Sequence, residues 1–557
     1  MIKYKPKLNE EVLHVIKKET KVKFNIMAII CILIFSVGVT PITFQNDTFY
    51  SIKIGEHIIN NGIDFLDAFS WHNLTYTYPH WLYDVMMYGI YCIKGFDAIY
   101  ISTIIFAAIL GIILYVTNTK LSKNNLVSFL LTIADMCVLR GYITARAQLV
   151  TFSLFALTIY FIEQFLDKDN GKKYGIGLII ISTIIANLHV AVWPFFFILF
   201  LPYIAEGIIN TIEEKELFYV MAKKRNKKKL EKYKNKKVST QKIEKIENEI
   251  GRIDRLIKFK KEQKNQRESY KIKFGKTDKI KYLIMILIIC MFTGLLTPLG
   301  TTPYTYLIKT MQGNTVEYIN EHLPMVLANE AYAIAILMIF IGLLTFTDVK
   351  IRLRDFLMLG GLTILMLYSK RQLSVLEVIS IFILNRLICD LLNKYDKTGT
   401  EKAMNKIVTK GGQIIVYVFI IACTCYLCSE RYGDKYVDEK SYPIEATEFI
   451  KEKIDLTTAR IYNEYNYGSY LLFNDIPVFI DSRADLYAPE FNGKDDIFID
   501  YINTANIDTD YETIFEKYSI THVITYADSK LNILLTKDNK YKEIYKDDYF
   551  VIYQRNK

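Results

Sequence analysis

"QNDTFYSIKIGEHIINNGIDFLDAFSWHNLTYTYPHWLYD", residues 45–84, separates an apolar run that ends near Ile42 from another that begins at Trp81. It carries several carboxylates, three histidines and two tryptophans between two greasy segments. Within it, "NDTFYSIKIGEHIINNG" sets Phe49, Ile52, Ile58 and Ile59 against Lys53, Glu56 and Asn60, and stops at Asn-Asn-Gly, a good helix terminator. The pattern predicts an amphipathic helix from about Thr48 to Asn60 lying along a membrane surface, then a connecting segment, then "HWLYD" opening a second span.

The rest of the chain supports a membrane setting. Of 557 residues, 51% are apolar, with a positive mean hydropathy, which is unusual for a soluble enzyme. A hydrocarbon core about 30 Å thick needs roughly 20 mostly apolar residues per helix. Stretches 24–43, 96–117, 149–166, 175–210, 281–297, 331–347, 372–389 and 411–428 meet or approach that length, and 81–94, 124–139 and 356–369 are weaker candidates. No small-residue cleavage site follows the first run, which reads as a retained helix.

Basic loops stay cytoplasmic. Lys3, Lys5, Lys7, Lys17, Lys18, Lys21 and Lys23 place the N-terminus inside and residues 44–80 outside. The segment containing "KKRNKKKLEKYKNKK", the loop "DVKIRLRD" (348–355) and residues 390–410 agree. Parity allows eleven crossings if 175–210 is one long broken helix, because splitting it would put the most basic loop outside. On this count Arg140 and Arg146 fall inside, as anchors.

The expected fold is thus a polytopic α-helical membrane protein of about eleven spans with a C-terminal extracytoplasmic α/β domain. Its parts are a cytoplasmic N-terminus (1–23), a first transmembrane module (24–212) with outer loop 44–80, a cytoplasmic basic insert (213–280), a second module (281–428) with outer loop 298–330, and the outer domain (429–557). In the insert, Ile243, Ile246, Ile250, Ile253 and Ile257 recur at three- and four-residue steps, the seam of a short coiled coil or helical hairpin. Its lysines could grip anionic headgroups; a nucleic-acid role lacks aromatic interleaving. In the tail, helical and strand patterns alternate, with strands at "ARIYN", "IPVFID" and "THVITY" and a closing hairpin at "YKEIYKDDYFVIYQR", which predicts a mainly parallel sheet. No Gly-rich phosphate loop follows these strands, and the tail has no cysteine after Cys428. Asp481, Arg483 and Asp485 in "FIDSRADLY" read either as an ion-pair network under a loop or as a functional cluster.

Polar chemistry gathers on the outer side. Lys370 and Arg371 run against the positive-inside tendency, and a lipid phosphate would account for them, since arginine pairs bidentately with phosphate oxygens; a charged helix end reaching for water is the alternative. Asp47, at the start of the amphipathic helix, is either an N-cap, a role Asn46 could also fill, or a general base at the mouth of a cavity. Asn187 and His189 are either a satisfied polar pair at a kink or part of the chemistry.

An acidic residue soon after the first span, followed by "GEHIINNGIDFLDAFSW" and "HWLYD", resembles bacterial members of the GT-C class of membrane glycosyltransferases, which includes protein O-mannosyltransferases, lipid A aminoarabinose transferases and oligosaccharyltransferases. "RGYITARAQLVTF", "ANLHVAVWP", "TPLGTTPY", "INEHLP" and "YNYGSYLLFNDIPVFIDSRADLY" extend the resemblance over nearly the whole chain. It implies transfer of a sugar from a polyprenyl-phosphate carrier to an extracytoplasmic acceptor, by an inverting displacement at a multi-pass protein of the cell membrane. By position it implies Asp47 as base, Glu56, His80, Trp81, Glu321 and His322 as cavity or acceptor contacts, and Arg371 with Lys370 as the donor-phosphate site. Two departures stand out: Thr48 follows Asp47 where the mannosyltransferases pair two acidic residues, and no equivalent of the oligosaccharyltransferases' metal-holding set is clear, which leaves dependence on a divalent cation open. Two other readings remain. A non-catalytic scaffold would use the same architecture, and a transporter or flippase would show repeat symmetry that this sequence lacks.

Overall fold

The computed structural model describes residues 10–556 apart from 170, 216, 236–239, 265–270 and 397. Of the basic residues used above, Lys3, Lys5, Lys7, Lys236 and Lys237 lie outside the described residues.

The chain begins with α1 (Glu10–Val39), followed by α2 (Asn46–Asn61) and α3 (Trp81–Lys94). Next come α4 (Phe96–Ser122), α5 (Asn125–Val138), α6 (Ala147–Asp167) and α7 (Lys172–Leu188). After a break at His189, α8 (Trp193–Ile198) and α9 (Leu201–Lys215) lead into a helical hairpin, α10 (Leu217–Asn235) and α11 (Thr240–Lys264). β1 (Ile272–Lys273) and α12 (Ile280–Phe292) bring the chain back to the bundle. α13 (Thr302–Gln312) and α14 (Thr315–Tyr318) form a second loop layer, and α15 (Ala331–Phe346), β2 (Ile351–Arg352), α16 (Leu353–Tyr368), α17 (Leu373–Tyr395), α18 (Gly399–Ile407) and α19 (Lys410–Ser429) complete the helices. Among the described residues, six helical segments are long and apolar enough to cross a membrane: Lys18–Val39, Phe96–Ser122, Asn125–Tyr142, Ala147–Asp167, Val190–Ile212 and Lys410–Ser429.

The bundle turns apolar side chains outward as well as inward. On α19, Ile414, Ile415, Val418 and Phe419 are 60–71% exposed, a surface suited to a hydrocarbon environment. The protein is a helical membrane protein.

Two expectations about the path of the chain are corrected. Residues 81–94 do not cross the bundle. Trp81 at the start of α3 bonds Asn187, while Tyr91 near its end packs on Phe473 and Phe96, so both ends of α3 lie in the layer beside the tail. Residues 175–210 are two passages. The break at His189 sits against Pro79, whose carbonyl accepts from Val190 N at 3.0 Å, while Asn210 on the returning helix reaches Thr277 at the far end. The two differences offset in the parity count, but between them they change the end at which Arg140 and Arg146 lie. Both lie at the end that carries Asp47, here called the cleft end, where Arg140 pairs with Glu430 and Arg146 with Asp47.

The basic insert is the expected hairpin at the opposite end. Ile243, Ile246, Ile250, Ile253 and Ile257 are its more buried positions, and Lys223–Asp254 and Lys234–Glu247 pairs cross it. Close by, "DVKIRLRD" pairs β2 with β1 and buries its arginines: Arg352 grips Glu163 (2.7 Å) and Asp355 (2.7 Å), and Arg354 grips Glu206.

The tail folds as α20 (Ile444–Lys453), β3 (Ile461–Tyr462), α21 (Tyr465–Phe473), β4 (His522–Tyr526), β5 (Tyr541–Lys546) and β6 (Phe550–Arg555), with short helices between α21 and β5. Its sheet has the order β3-β4-β6-β5, and only β3–β4 is parallel. The mainly parallel sheet is therefore corrected, because the closing hairpin supplies two of the four strands. "IPVFID" contributes only an isolated bridge from Val478 to Ser70, while its Asp481 turns inward to Arg483. The tail shares one apolar cluster with α2, α3 and residues 44–99. That cluster fixes the first loop, and Gly55 lets α2 approach α3, since any Cβ there would collide with the Asp84 carbonyl.

Candidate functional site

α2 begins one residue earlier than Asp47, with Gln45 as its N-cap and no side-chain cap bond, so Asp47 is not spent on capping. Its carboxylate lies in the first turn, favoured by the helix dipole, and Arg146 Nη2 meets Asp47 Oδ2 at 2.5 Å. Arg146 precedes α6 and also donates from Nη1 to Glu321 Oε1 (3.1 Å) and Gln45 Oε1 (3.4 Å). One guanidinium thus ties the first loop to the second.

Arg371 closes the other side of the same cleft. It sits in the one-turn helix Lys370–Gln372 between α16 and α17, held by its backbone N–H to the Glu321 carbonyl at 2.9 Å. Among the described residues no carboxylate lies within ion-pair distance of its guanidinium. His80 and His189 complete the wall with ring centroids 4.8 Å apart; Tyr50 OH is 3.4 Å from His80 Nδ1, and Thr151 Oγ1 is 3.1 Å from His189 Nδ1. Gln148, also lining the cleft, donates to Ser374 at 3.1 Å. The space left is about 20 Å³, room for one water.

The two arginines set the protonation of their neighbours. Burial alone would raise the Glu321 carboxyl, but the positive charges of Arg146 and Arg371 outweigh it and hold it below its usual range. Burial, then Arg371, pushes His322 down to about 4, and burial, then Arg371 and Arg146, pushes His80 down to about 3. Both imidazoles are neutral near pH 7, leaving the arginines as the cations of the cleft.

Of the residues singled out in the sequence, Asp47, His80, Glu321 and Arg371 come together here. His322 stands beside Arg371, and Trp81 fixes the cleft from behind by donating to Asn187 Oδ1 at 3.3 Å. Lys370 reaches away, to Asn320 at 2.7 Å, and does not line the cleft. Glu56 does not line the cleft: it lies nine residues, or about two and a half turns, beyond Asp47, so it faces the opposite side of α2, where it pairs with Lys53 at 2.6 Å. Asn187 is a satisfied group, donating to Thr183 and Leu296, whereas His189 belongs to the cleft. The sequence does not single out Tyr50 and Gln148, reads Arg146 only as an anchor, and leaves His189 between a polar pair at a kink and the chemistry. A lone arginine between two apolar runs, in "TARAQLV", was the available signal for Arg146.

"FIDSRADLY" divides its charges between two loops. Arg483 is clasped by Asp481 (2.6 Å) and by Asp67 of the first loop (2.8 Å), all nearly or fully buried, and Tyr487 donates to Asp481 at 2.6 Å. Asp485 accepts from Tyr306 (2.8 Å) and Thr310 (3.1 Å) of the second loop. The network is a clamp. The neighbours of Asp47 in the cleft are the guanidinium groups of Arg146 and Arg371 and the imidazoles of His80 and His189, and among the described residues no three His, Cys, Asp or Glu side chains are grouped to hold a metal.

No protein-family profile and no curated protein matches the sequence. In fold, fifteen chains of solved structures match, among them the Archaeoglobus fulgidus oligosaccharyltransferase, solved with a disulfide-tethered acceptor peptide containing the NVT sequon. That similarity has a TM-score of 0.51 at 11% identity and covers 96% of this chain and 74% of that one. At this identity the likeness is one of fold: the protein shares the fold of that oligosaccharyltransferase.

Proposed function

We propose that this protein transfers a sugar from a polyprenyl-phosphate carrier to an acceptor on the extracytoplasmic side, with the cleft between Asp47 and Arg371 as the reaction site. The observation that carries the reading is Arg371, a guanidinium with no carboxylate partner among the described residues, facing a carboxylate across a cleft at one end of an apolar bundle. On the positive-inside tendency the hairpin end is cytoplasmic and the cleft end extracytoplasmic, with eleven passages formed by α1, α4, α5, α6, α7, α8 with α9, α12, α15, α16, α17 and α19.

In this reading the site rests closed, because Arg146 occupies Asp47 and little space remains. An incoming carrier phosphate competes for Arg146 and Arg371, which releases the Asp47 carboxylate. The acceptor oxygen then attacks the anomeric carbon, the bond from that carbon to the phosphate oxygen breaks, and the acceptor proton passes to Asp47. The two arginines hold the negative charge that appears on the departing phosphate. In-line displacement inverts the anomeric configuration.

The test is release of polyprenyl phosphate from a polyprenyl-phosphate sugar by the purified protein in nanodiscs. Turnover is expected in the wild type and loss of it in Arg371→Ala. A second reading, a non-catalytic scaffold, draws on the same Asp47–Arg146 pair, which would serve equally as a permanent lock between loops. It requires no turnover with any donor, and Asp47→Asn would then lower stability alone.

A further inference from the structure

On the face of α2 turned away from Asp47, Lys53, Glu56, His57 and Asn60 stand at positions i, i+3, i+4 and i+7, a polar stripe along one side of a helix. The stripe forms one wall of a groove of about 350 Å³, much larger than the cleft and within the size range of small-ligand sites. The other wall comes from the tail, at Leu472, Asp475, Ile476 and Pro477, with Phe69 between the two.

The polar groups are already held in place. Lys53 bridges Glu56 and Asp475 at 2.6 Å each, and so spans from α2 to the tail. His57 accepts from Asn61 (3.2 Å) on one nitrogen and meets Asp64 (3.0 Å) with the other, and Asp64 is itself fixed by Tyr78 OH at 2.6 Å. Side chains braced in this way lose little freedom when a ligand arrives.

The chemistry of the lining narrows the ligand. Lys53 is offset by two carboxylates of the lining, Glu56 and Asp475, and Asp64 stands behind His57, so the groove is net negative and repels phosphates and carboxylates. Donors and acceptors alternate along the stripe, which suits groups that donate and accept at the same atom, as hydroxyls do. Phe69, Leu472, Ile476 and Pro477 add an apolar face against which the C–H face of a ring can lie. We propose that this groove binds a saccharide free of acidic groups, a neutral or amino sugar carried by the acceptor.

Its place in the reaction rests on the transferase reading of the cleft; the binding does not. The groove and Asp47 belong to one rigid helix, nine residues or about 13 Å apart along its axis, so an acceptor glycan docked here is held in fixed relation to the cleft.

The test is retention of the full-length protein, in nanodiscs, on an array of neutral, amino and acidic glycans. Retention is expected on neutral or amino glycans, weakened at least tenfold by Glu56→Gln and by the groove-filling Asn60→Trp, and unchanged in Asp47→Asn. Asn60 is exposed near the end of α2, so its replacement leaves the core alone. Retention on no glycan, preference for acidic glycans, or indifference to both groove variants overturns the proposal. Turnover lost in Asp47→Asn with glycan retention intact separates the groove from the cleft, and retention by a wild type without turnover leaves the groove standing while removing the transferase reading.

Discussion

At the hairpin end of the bundle, Arg352 lies between Glu163 and Asp355, and Arg386 approaches the same two carboxylates at 3.4 and 3.6 Å. Tyr203 supplies a further bond to Glu163 at 3.0 Å, and Arg354 and Glu206 pair alongside with almost no exposure. At the cleft end, Arg146 likewise lies between two carboxylates, but Asp47 and Glu321 keep 20% and 48% exposure and Arg371 beside them has no such partner among the described residues. Three arginines against three carboxylates make the first cluster self-sufficient. Two arginines drawing on Asp47 and Glu321, open to solvent, leave the second able to take an anion. On the proposed reading, the difference is between ions that hold helices together and ions that wait for a ligand.

The largest effect should come from breaking the closed cluster. Glu163→Gln leaves Arg352 and Arg386 buried with Asp355 alone, and a cost of about 3–5 kcal/mol is expected, read as a lower unfolding temperature in detergent. Turnover per folded molecule should be unaltered. At the cleft, Arg371→Ala should leave the unfolding temperature nearly unchanged and reduce turnover on the order of a hundredfold or more. The clamp at Arg483 sharpens the same contrast within the tail layer: Asp67→Asn removes one arm of a buried pair and should speed proteolysis of the first loop, at a cost of about 3 kcal/mol.

A smaller, pH-dependent effect follows from the cleft imidazoles. His322 and His80 are held neutral with values of about 4 and 3, below the roughly 6.5 of an unfolded histidine. Below pH of about 6.5 the unfolded chain therefore binds more protons than the folded one, so stability falls as pH drops toward 4. His322→Asn should flatten part of that slope in thermal unfolding between pH 6.5 and 4. The smallest effect belongs to Lys370, whose exposed bond to Asn320 should be worth less than about 1 kcal/mol; Lys370→Ala should leave both unfolding and turnover near wild type.

Much of this layout is legible as arithmetic on the sequence. A 36-residue apolar stretch at 175–210 spans about 54 Å as a helix, nearly twice the hydrocarbon thickness, and Pro194 lies in its second half. At 81–94 the helix stops at Gly95 after fourteen residues, short of the roughly 20 needed, whereas α5 runs on through Tyr142 to eighteen. Reading both lengths moves Arg146 to the cleft end, and the 3.6-residue period alone separates Glu56 from Asp47. The amphipathic α2, the isoleucine seam of the hairpin and the closing hairpin of the tail follow from local period. What local period does not carry is the long-range pairing. Arg483 meets Asp67 across 416 positions and Arg146 meets Glu321 across 175, and neither sequence neighbourhood names its partner.

The central claim is that Asp47 becomes a free base when a carrier phosphate draws Arg146 and Arg371 away. It is tested most directly by single-turnover kinetics of Asp47→Asn in nanodiscs with a polyprenyl-phosphate sugar and a hydroxyl acceptor. The account predicts that the donor still binds with near wild-type affinity while the transfer step slows on the order of a hundredfold or more. Transfer at the wild-type rate in a folded Asp47→Asn protein would contradict it.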